Sequence, residues 1–433
     1  MFVCGPTIYD YPHIGNARTF MAFDIIARYL RSKKIKLFYL QNITDIDDKI
    51  IDRANKEKTS WKKIAGRYEK IFYENLRALN ITSVNEYAKA TDYIPQIIKQ
   101  VKTLIKKGNA YKIEGDGWYF NLKTFPDYGK LSRRTAEQAG DAVSRIDSGS
   151  KKKNPGDFCL WKFSKENEPS WDSEIGKGRP GWHIEDTAIS EHFFGTQYDI
   201  HGGAADLKFP HHEAEIAQQE SASGKKPFVE IWMHAGFLDI NGQKMSKSLG
   251  NFITISDFLK QHPRDAFRML TASHHYSSPM NYTEETAKTA EKNLREIKEF
   301  LARLELIETK KSSAKLPVKE LKKKFYSAMD DDFNSPKALG AVFEFMNEAN
   351  KKIWETGKRQ AAEAGTLIKT ALKSLGFEDL ELKIPAEITA KARKRELFRN
   401  NKQFIQADAL RKEIEALGYS IEDTPAGPLV LKK

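Results

Sequence analysis

The chain has 433 residues, 40% of them hydrophobic, with a formal net charge of +12 and two cysteines, Cys4 and Cys159. That length implies roughly two to four domains, and so few, widely spaced thiols exclude a disulfide framework. The lack of any apolar run near the roughly 18 residues of a membrane helix, with Gly5-Pro6 too early for a signal peptide, leads to the expectation of a cytoplasmic protein without a membrane partner.

In chain order, residues 1–4 are short, apolar and β-prone until Gly5-Pro6 breaks them. From 17 to 32 apolar residues recur at helical spacing (Phe20, Phe23, Ala27, Leu30), and 35–40 reads as the next strand. Such strand, loop, helix, strand units build parallel sheets that gather ligands at the carboxyl ends of their strands. A mostly helical stretch runs to Gly108, followed by a strand at 116–120 inside an insertion. Residues 148–156 mix flexible positions with Lys151-Lys152-Lys153, a mobile loop whose lysines are solvated or touch a phosphate. Past Pro180 short apolar runs alternate with helices. Beyond Thr283 long charged helices dominate, broken by Lys310-Lys311-Ser312-Ser313 and Pro317, with a last boundary at Ile384-Pro385. After it Phe404, Ala407, Leu410, Ile414 and Leu417 mark one amphipathic face, and Gly418 stops the helix. There is no internal repeat.

Two strings handle phosphate. His13-Ile14-Gly15-Asn16 precedes a helix, where free N–H groups and the positive dipole end favour an anion. There His13 and Asn16 donate to an α-phosphate and Gly15 allows close approach; a plain helix cap is the other reading of His13. Lys244-Met245-Ser246-Lys247-Ser248 lies in a polar, Gly-flanked loop, and two lysines three apart embrace a triphosphate whose charge spreads in the transition state. An ordinary basic surface loop is the alternative. The net charge points to a polyanion or to a well-solvated surface. His211 and Glu215, four apart, share one helix face and either share a metal or hydrogen-bond.

Around these strings, Cys4-Gly5-Pro6-Thr7-Ile8-Tyr9-Asp10, Asn42-Ile43-Thr44-Asp45-Ile46-Asp47-Asp48-Lys49, Gly181-Trp182-His183-Ile184-Glu185 and Phe209-Pro210-His211-His212-Glu213-Ala214-Glu215 resemble cysteinyl-tRNA synthetase signatures over nearly the whole chain. The resemblance implies an α/β fold: a Rossmann-like parallel-sheet core in two halves (1–88 and 178–225) around a connective insertion (89–177). A connecting domain with the lysine string (226–300), a helical bundle (301–384) and a small anticodon-binding domain (385–433) would follow. It implies cysteine activation with Mg-ATP and transfer to tRNA(Cys), Lys247 being the principal transition-state cation, Lys244 assisting, His13 and Asn16 opposite. Gly15, His201, Gly202, Gly203 and Asp206 look like ATP and adenylate contacts; Cys4, Thr44 and Trp182 look like the cysteine pocket.

The resemblance also implies one zinc ion, at Cys4, Asp186, His211 and Glu215. Asp186 departs from the family, which has a second cysteine there; its oxygen either ligates zinc or hydrogen-bonds backbone, and a changed amino-acid substrate is a minor alternative. Zinc prefers a soft thiolate to a hydroxyl, which separates cysteine from serine where an apolar pocket gives only about 1–3 kcal/mol. Cys159, among apolar neighbours, is expected to pack. Arg393, Arg395, Arg399, Lys402 and Arg411 resemble the anticodon-binding end, and Asp330-Asp331-Asp332-Phe333-Asn334 the start of the bundle. Relatives carry about a strand's worth of residues before Cys-Gly-Pro, so either the start is incorrectly called or the sheet edge is built differently here. A monomer is expected. The rivals are a cysteine:amino-sugar ligase on the same core and a non-catalytic RNA-binding paralogue.

Overall fold

Phe2–Val3 (β1), Leu40–Ile43 (β2), Glu86–Lys89 (β3), Tyr198–Ala204 (β4) and Val229–Ala235 (β5) form one sheet in the order β3-β2-β1-β4-β5, every neighbouring pair parallel. The computed structural model describes residues 1–135, 151–245, 250–309 and 312–432; the expected features at 148–150, Lys247 and Lys310-Lys311 lie outside them. The short β1 is central rather than an edge, which corrects the expectation for the start of the chain. Phe2 and Val3 are fully buried because the sheet continues on both sides. Strand order reverses between β1 and β4, and carboxyl ends at such a switch point open a crevice for ligands. Cys4 stands at that point.

The helix after β1 is Ile14–Ser32 (α1), which begins ahead of the first periodic apolar residue because His13 caps it. The second strand is Leu40–Ile43 and not 35–40. Lys34 closes α1 in the left-handed region, with φ 63°, and Ile35 and Phe38 remain largely exposed. The ladder starts only where Phe2 pairs with Leu40. Upstream, the β-prone residues bond singly to the chain start, to the end of α1 and to Asn85 rather than in a ladder, so they form no strand. Ile184–Phe194 (α2) and His211–Ser223 (α3) pack beside the β1/β4 junction. The insertion carries a four-stranded antiparallel sheet of Ala110–Ile113, Gly117–Phe120, Phe158–Phe163 and Gly178–Pro180. In it Cys159 is buried against Ile113 and Tyr119, a packing role.

By internal contacts the chain divides into Met1–Gln261 with Tyr276–Tyr282, and His262–His275 with Thr283–Lys433. The second unit holds helices Glu284–Glu305, Val318–Asp330, Ser335–Asn350 and Lys358–Ser374, then Ala386–Asn400, Phe404–Ala416 and the hairpin Tyr419–Thr424/Gly427–Lys432. Helix Glu284–Glu305 runs unbroken through the boundary expected at 300. Asn334 caps Ser335–Asn350 by accepting from Lys337 N. Among the described residues no helix is long and apolar enough to cross a membrane.

The last helix departs from its expected face: Ala407 and Ile414 are buried with Ile388, Ile421 and Val430, whereas Phe404 and Leu417 are 59% and 51% exposed. A 13-residue helix covering one short hairpin has too little partner surface to bury five apolar positions.

The basic residues of this region also divide. Arg395 is buried and grips Asp423 with two hydrogen bonds of 2.5 and 3.0 Å; Arg399 reaches the same carboxylate at 2.6 Å and Arg411 at 3.8 Å. These three arginines fasten the hairpin to the helices, whereas Arg393 and Lys402 stand clear of it. Replacing one partner of a buried ion pair strands the other, and Asp423 is partly solvated. Arg395→Ala is therefore expected to destabilise this unit by about 2 kcal/mol in denaturant unfolding.

Candidate functional site

His13 closes the mouth of α1 with a reciprocal cap: Asn16 N donates to His13 Nδ1 at 3.2 Å, and His13 N donates to Asn16 Oδ1 at 3.3 Å. Because Nδ1 accepts, the proton of the neutral ring sits on Nε2, which is left as a donor. The amide of Asn16 likewise keeps its N–H groups. Burial pushes the His13 imidazole down to about 4, so it is neutral near pH 7. The cap and anion readings are thus compatible, since capping spends one nitrogen and aims the other.

The segment that follows the lysine string reaches the same place. Ile14 N donates to Ile253 O at 3.1 Å and Ile255 N to Pro12 O at 3.1 Å, an antiparallel bridge centred on His13 and Thr254. The rings of His13 and Phe252 lie 5.2 Å apart, edge to face. At Gly15 an added Cβ would stand 2.8 Å from Met245 Cε and 2.9 Å from His13 Nδ1, so a larger residue would displace the Met245 side chain and press on the capping ring. Lys244 ends the strand Gln243–Lys244 and is exposed, with its backbone oxygen accepting from Asn251 at 3.2 Å. Lys247 lies outside the described residues.

A second constellation surrounds Cys4. Its Sγ is 3.3 Å from Asp186 Oδ2, 3.3 Å from His201 Nε2, 3.2 Å from His212 Nε2 and 3.9 Å from Glu215 Oε1. His211 Nε2 lies 3.0 Å from Asp186 Oδ2 and 3.1 Å from Glu215 Oε1. Two donor groups share Cys4 and Glu215: one adds Asp186 and His211, as expected, and the other adds His201 and His212. In each, the ligating atoms lie within 4.8 Å of one another. Sequence reasoning missed the second group. Its signal is the adjacent pair His211-His212 opening a helix at the end of a strand, where both rings turn inward.

Outer contacts aim the donors. His211 Nδ1 meets His183 Nδ1 at 2.7 Å, His212 Nδ1 meets His234 Nε2 at 2.9 Å, and His201 Nδ1 meets Tyr198 Oη at 2.6 Å. Each of these three rings therefore turns Nε2 into the cluster. Asn42 donates to Asp186 Oδ1 at 2.5 Å while accepting from Gly5 N at 2.6 Å, which leaves Asp186 Oδ2 facing Cys4 and His211. Burial, then Asp186 and Glu215, raise the Cys4 thiol well above its usual range. Burial, then Asp186 and Glu185, raise Glu215, while burial lowers His183, His201 and His212.

The remaining expected residues are less uniform. His201 is enclosed in the donor cluster, stacked on Trp232 at 4.5 Å, rather than on an open surface. A Cβ on Gly202 would collide with the Phe23 ring at 2.3 Å, so packing alone requires glycine there. Gly203 is buried beside His212, and Asp206 is exposed. Thr44 is buried and donates its hydroxyl to Glu185. Trp182 is 41% exposed and lies 4.5 Å from the His211 ring, forming a wall between the donors and solvent.

Residues 1–292 match the family model for the class I (C) tRNA synthetase catalytic domain. The chain belongs to the cysteine–tRNA ligase family. A DALR domain model matches residues 324–379. Among relatives of this family, the cysteine–tRNA ligase of Thermococcus gammatolerans is 42% identical, with 99% of this chain and 93% of that protein covered. That of Caldicellulosiruptor saccharolyticus is 41% identical over 99% and 94%. In fold the chain is similar to Mycobacterium tuberculosis methionyl-tRNA synthetase in complex with methionyl-adenylate, with 16% identity, coverage of 86% and 89%, and a TM-score of 0.64. Neither rival reading gains support from these matches.

The double use of His13 separates two variants. His13→Asn keeps a good capping side chain and loses the outward donor, whereas His13→Ala loses both. Thermal and denaturant unfolding should show His13→Asn near wild type and His13→Ala lower by about 1 kcal/mol. Adenylate formation should fall about 10²–10³-fold in both.

Proposed function

We propose that the chain joins L-cysteine to tRNA(Cys): cysteine and Mg-ATP give cysteinyl-adenylate and pyrophosphate, and the adenylate acylates the terminal ribose with release of AMP. The observation that carries this reading is the backbone bridge between Pro12–Ile14 and Ile253–Ile255, which joins the helix mouth to the segment that follows the lysine string. The substrate carboxylate attacks the α-phosphorus in line, a P–O bond forms, and the bond to pyrophosphate breaks. His13 Nε2–H and the Asn16 amide donate to the α-phosphate oxygens, helped by the positive end of α1. Lys244 and Lys247 neutralise the departing pyrophosphate. No side-chain nucleophile is required; catalysis is placement and charge stabilisation. With RNA and ATP as substrates, the cytoplasm is the matching compartment, and the monomer expected from sequence is kept.

The Cys4 cluster suits a dication. Glu185, Asp186 and Glu215 are at most 1% exposed, and among the described residues no lysine or arginine pairs with them. Glu215 Oε2 is buried without a hydrogen-bond partner. Buried carboxylates without a cation are costly. We assign Cys4, Asp186, His211 and Glu215 as the residues that would hold zinc, since their donors face one another and both His211 and Asp186 are braced from behind. When bound, zinc supplies a Lewis acid with a preference for the substrate thiolate. Trp182 screens that position from water.

Two experiments test the reading. Purified protein should catalyse cysteine-dependent ATP–pyrophosphate exchange and charge a tRNA(Cys) transcript; absence of both from folded protein would overturn it. Asn42→Ala should lower zinc affinity about 10–100-fold by chelator competition, because Asp186 loses its brace while all four donors remain. Unchanged affinity would remove Asp186 from the donor set.

A further inference from the structure

A cavity of about 650 Å³ opens in the insertion, lined among others by Lys123, Arg133, Arg134 and Lys153 and by no carboxylate among the described residues. Nearby lysines differ: Lys130 is paired with Glu220 and Lys226 with Asp127. No carboxylate pairs with the four lining cations among the described residues. Arg134 lies over the Phe209 ring at 5.1 Å and Lys153 over Tyr111 at 4.6 Å, contacts that orient a cation without neutralising it.

Both walls are pinned by buried carboxylates. Glu213 accepts from the backbone N–H groups of Gly129, Leu131 and Ser132 at 3.1, 2.8 and 2.5 Å, and the turn continues with Arg133 in the left-handed region at φ 61°. Asp157 accepts from Leu122 N at 2.8 Å, Asn154 N at 3.0 Å and Tyr111 Oη at 2.8 Å. Two fully buried acids thus fix the backbone of loops whose exposed side chains are cationic. Such preorganised positive charge, uncompensated among the described residues, selects an anion. The volume exceeds that of a lone phosphate, and Pro126, Tyr128 and Pro155 add flat apolar walls on which a sugar and base can rest.

We propose that this cavity binds one nucleotide of an RNA strand, with its phosphodiester on Arg133, Arg134, Lys123 and Lys153. The proposal rests on the reading that RNA is a substrate of this chain. Glu213 belongs to α3, the helix that also carries His211 and Glu215, so a strand held here is anchored to the element that carries the donor cluster.

The test is Arg134→Ala/Lys153→Ala in the full chain, which leaves Glu213 and Asp157 untouched. With a tRNA(Cys) transcript, Kd should rise about ten-fold near 0.1 M salt, and the slope of log Kd against log salt should fall by about 1–2. Cysteine-dependent pyrophosphate exchange should stay at the wild-type level, and Arg134→Lys/Lys153→Arg should bind RNA as wild type does. Wild-type Kd and slope in the alanine variant would overturn the proposal. A loss of ATP affinity with RNA affinity unchanged would identify a free nucleotide as the occupant and overturn it equally. Failure of exchange in the unmutated protein would instead sink the proposed activity, while the RNA measurements would still decide this cavity.

Discussion

Two backbone hydrogen bonds, from Ile14 N to Ile253 O and from Ile255 N to Pro12 O, carry more of this molecule's organisation than any side-chain contact. They join the start of α1 to the segment leaving the lysine string. Backbone bonds do not depend on side-chain rotamers, so the register of Pro12–Ile14 against Ile253–Ile255 is fixed. The His13 cap then sets ring direction and tautomer, and Gly15 supplies the space in which Met245 lies. Placement, protonation and access follow from one short bridge.

The Cys4 cluster obeys a different constraint. Carboxylates, imidazoles and a thiol are gathered where water is excluded, and the shifts run in the expected directions: burial drives the thiol and Glu215 up and most of the imidazoles down. Cys4, Glu215, His201 and His212 are pushed towards their neutral forms, and a dication reverses that preference for the Glu215 carboxyl and the thiol together. Cys4 and Glu215 belong to both donor groups, so they form the fixed centre, with Asp186 and His211 braced by Asn42 and His183 on one side and His201 and His212 braced by Tyr198 and His234 on the other. Asp186 contributes an oxygen donor, which makes the set harder and leaves Cys4 as its single thiolate.

Much of this was legible in the sequence because it is local. The phosphate strings, the His211–Glu215 spacing, the parallel α/β core and Asp186 beside Glu185 can all be read from a few neighbouring letters. What escaped depends on partners distant along the chain. Residues 35–40 have strand-like composition, yet the ladder begins at Leu40 because pairing with Phe2 begins there. His201 reads as part of a Gly-rich turn, but β4 turns it towards Cys4. The amphipathic pattern from Phe404 to Leu417 is real, but the hairpin it covers is too small to bury it. Arg395 looks like a solvated basic residue until Asp423 is placed beside it.

Asp423 has a wider consequence. Attraction to a polyanion depends on cations free to displace counterions, and the arginines gathered at Asp423 have acids built in beside them, Asp423 itself with Glu396 at Arg399 and Glu415 at Arg411. The formal charge of +12 therefore says little about where long-range attraction originates. Exposed lysines and arginines without an internal acid set the field that an approaching nucleic acid feels, and the two helices packed on the C-terminal hairpin are electrostatically quieter than their arginine count suggests.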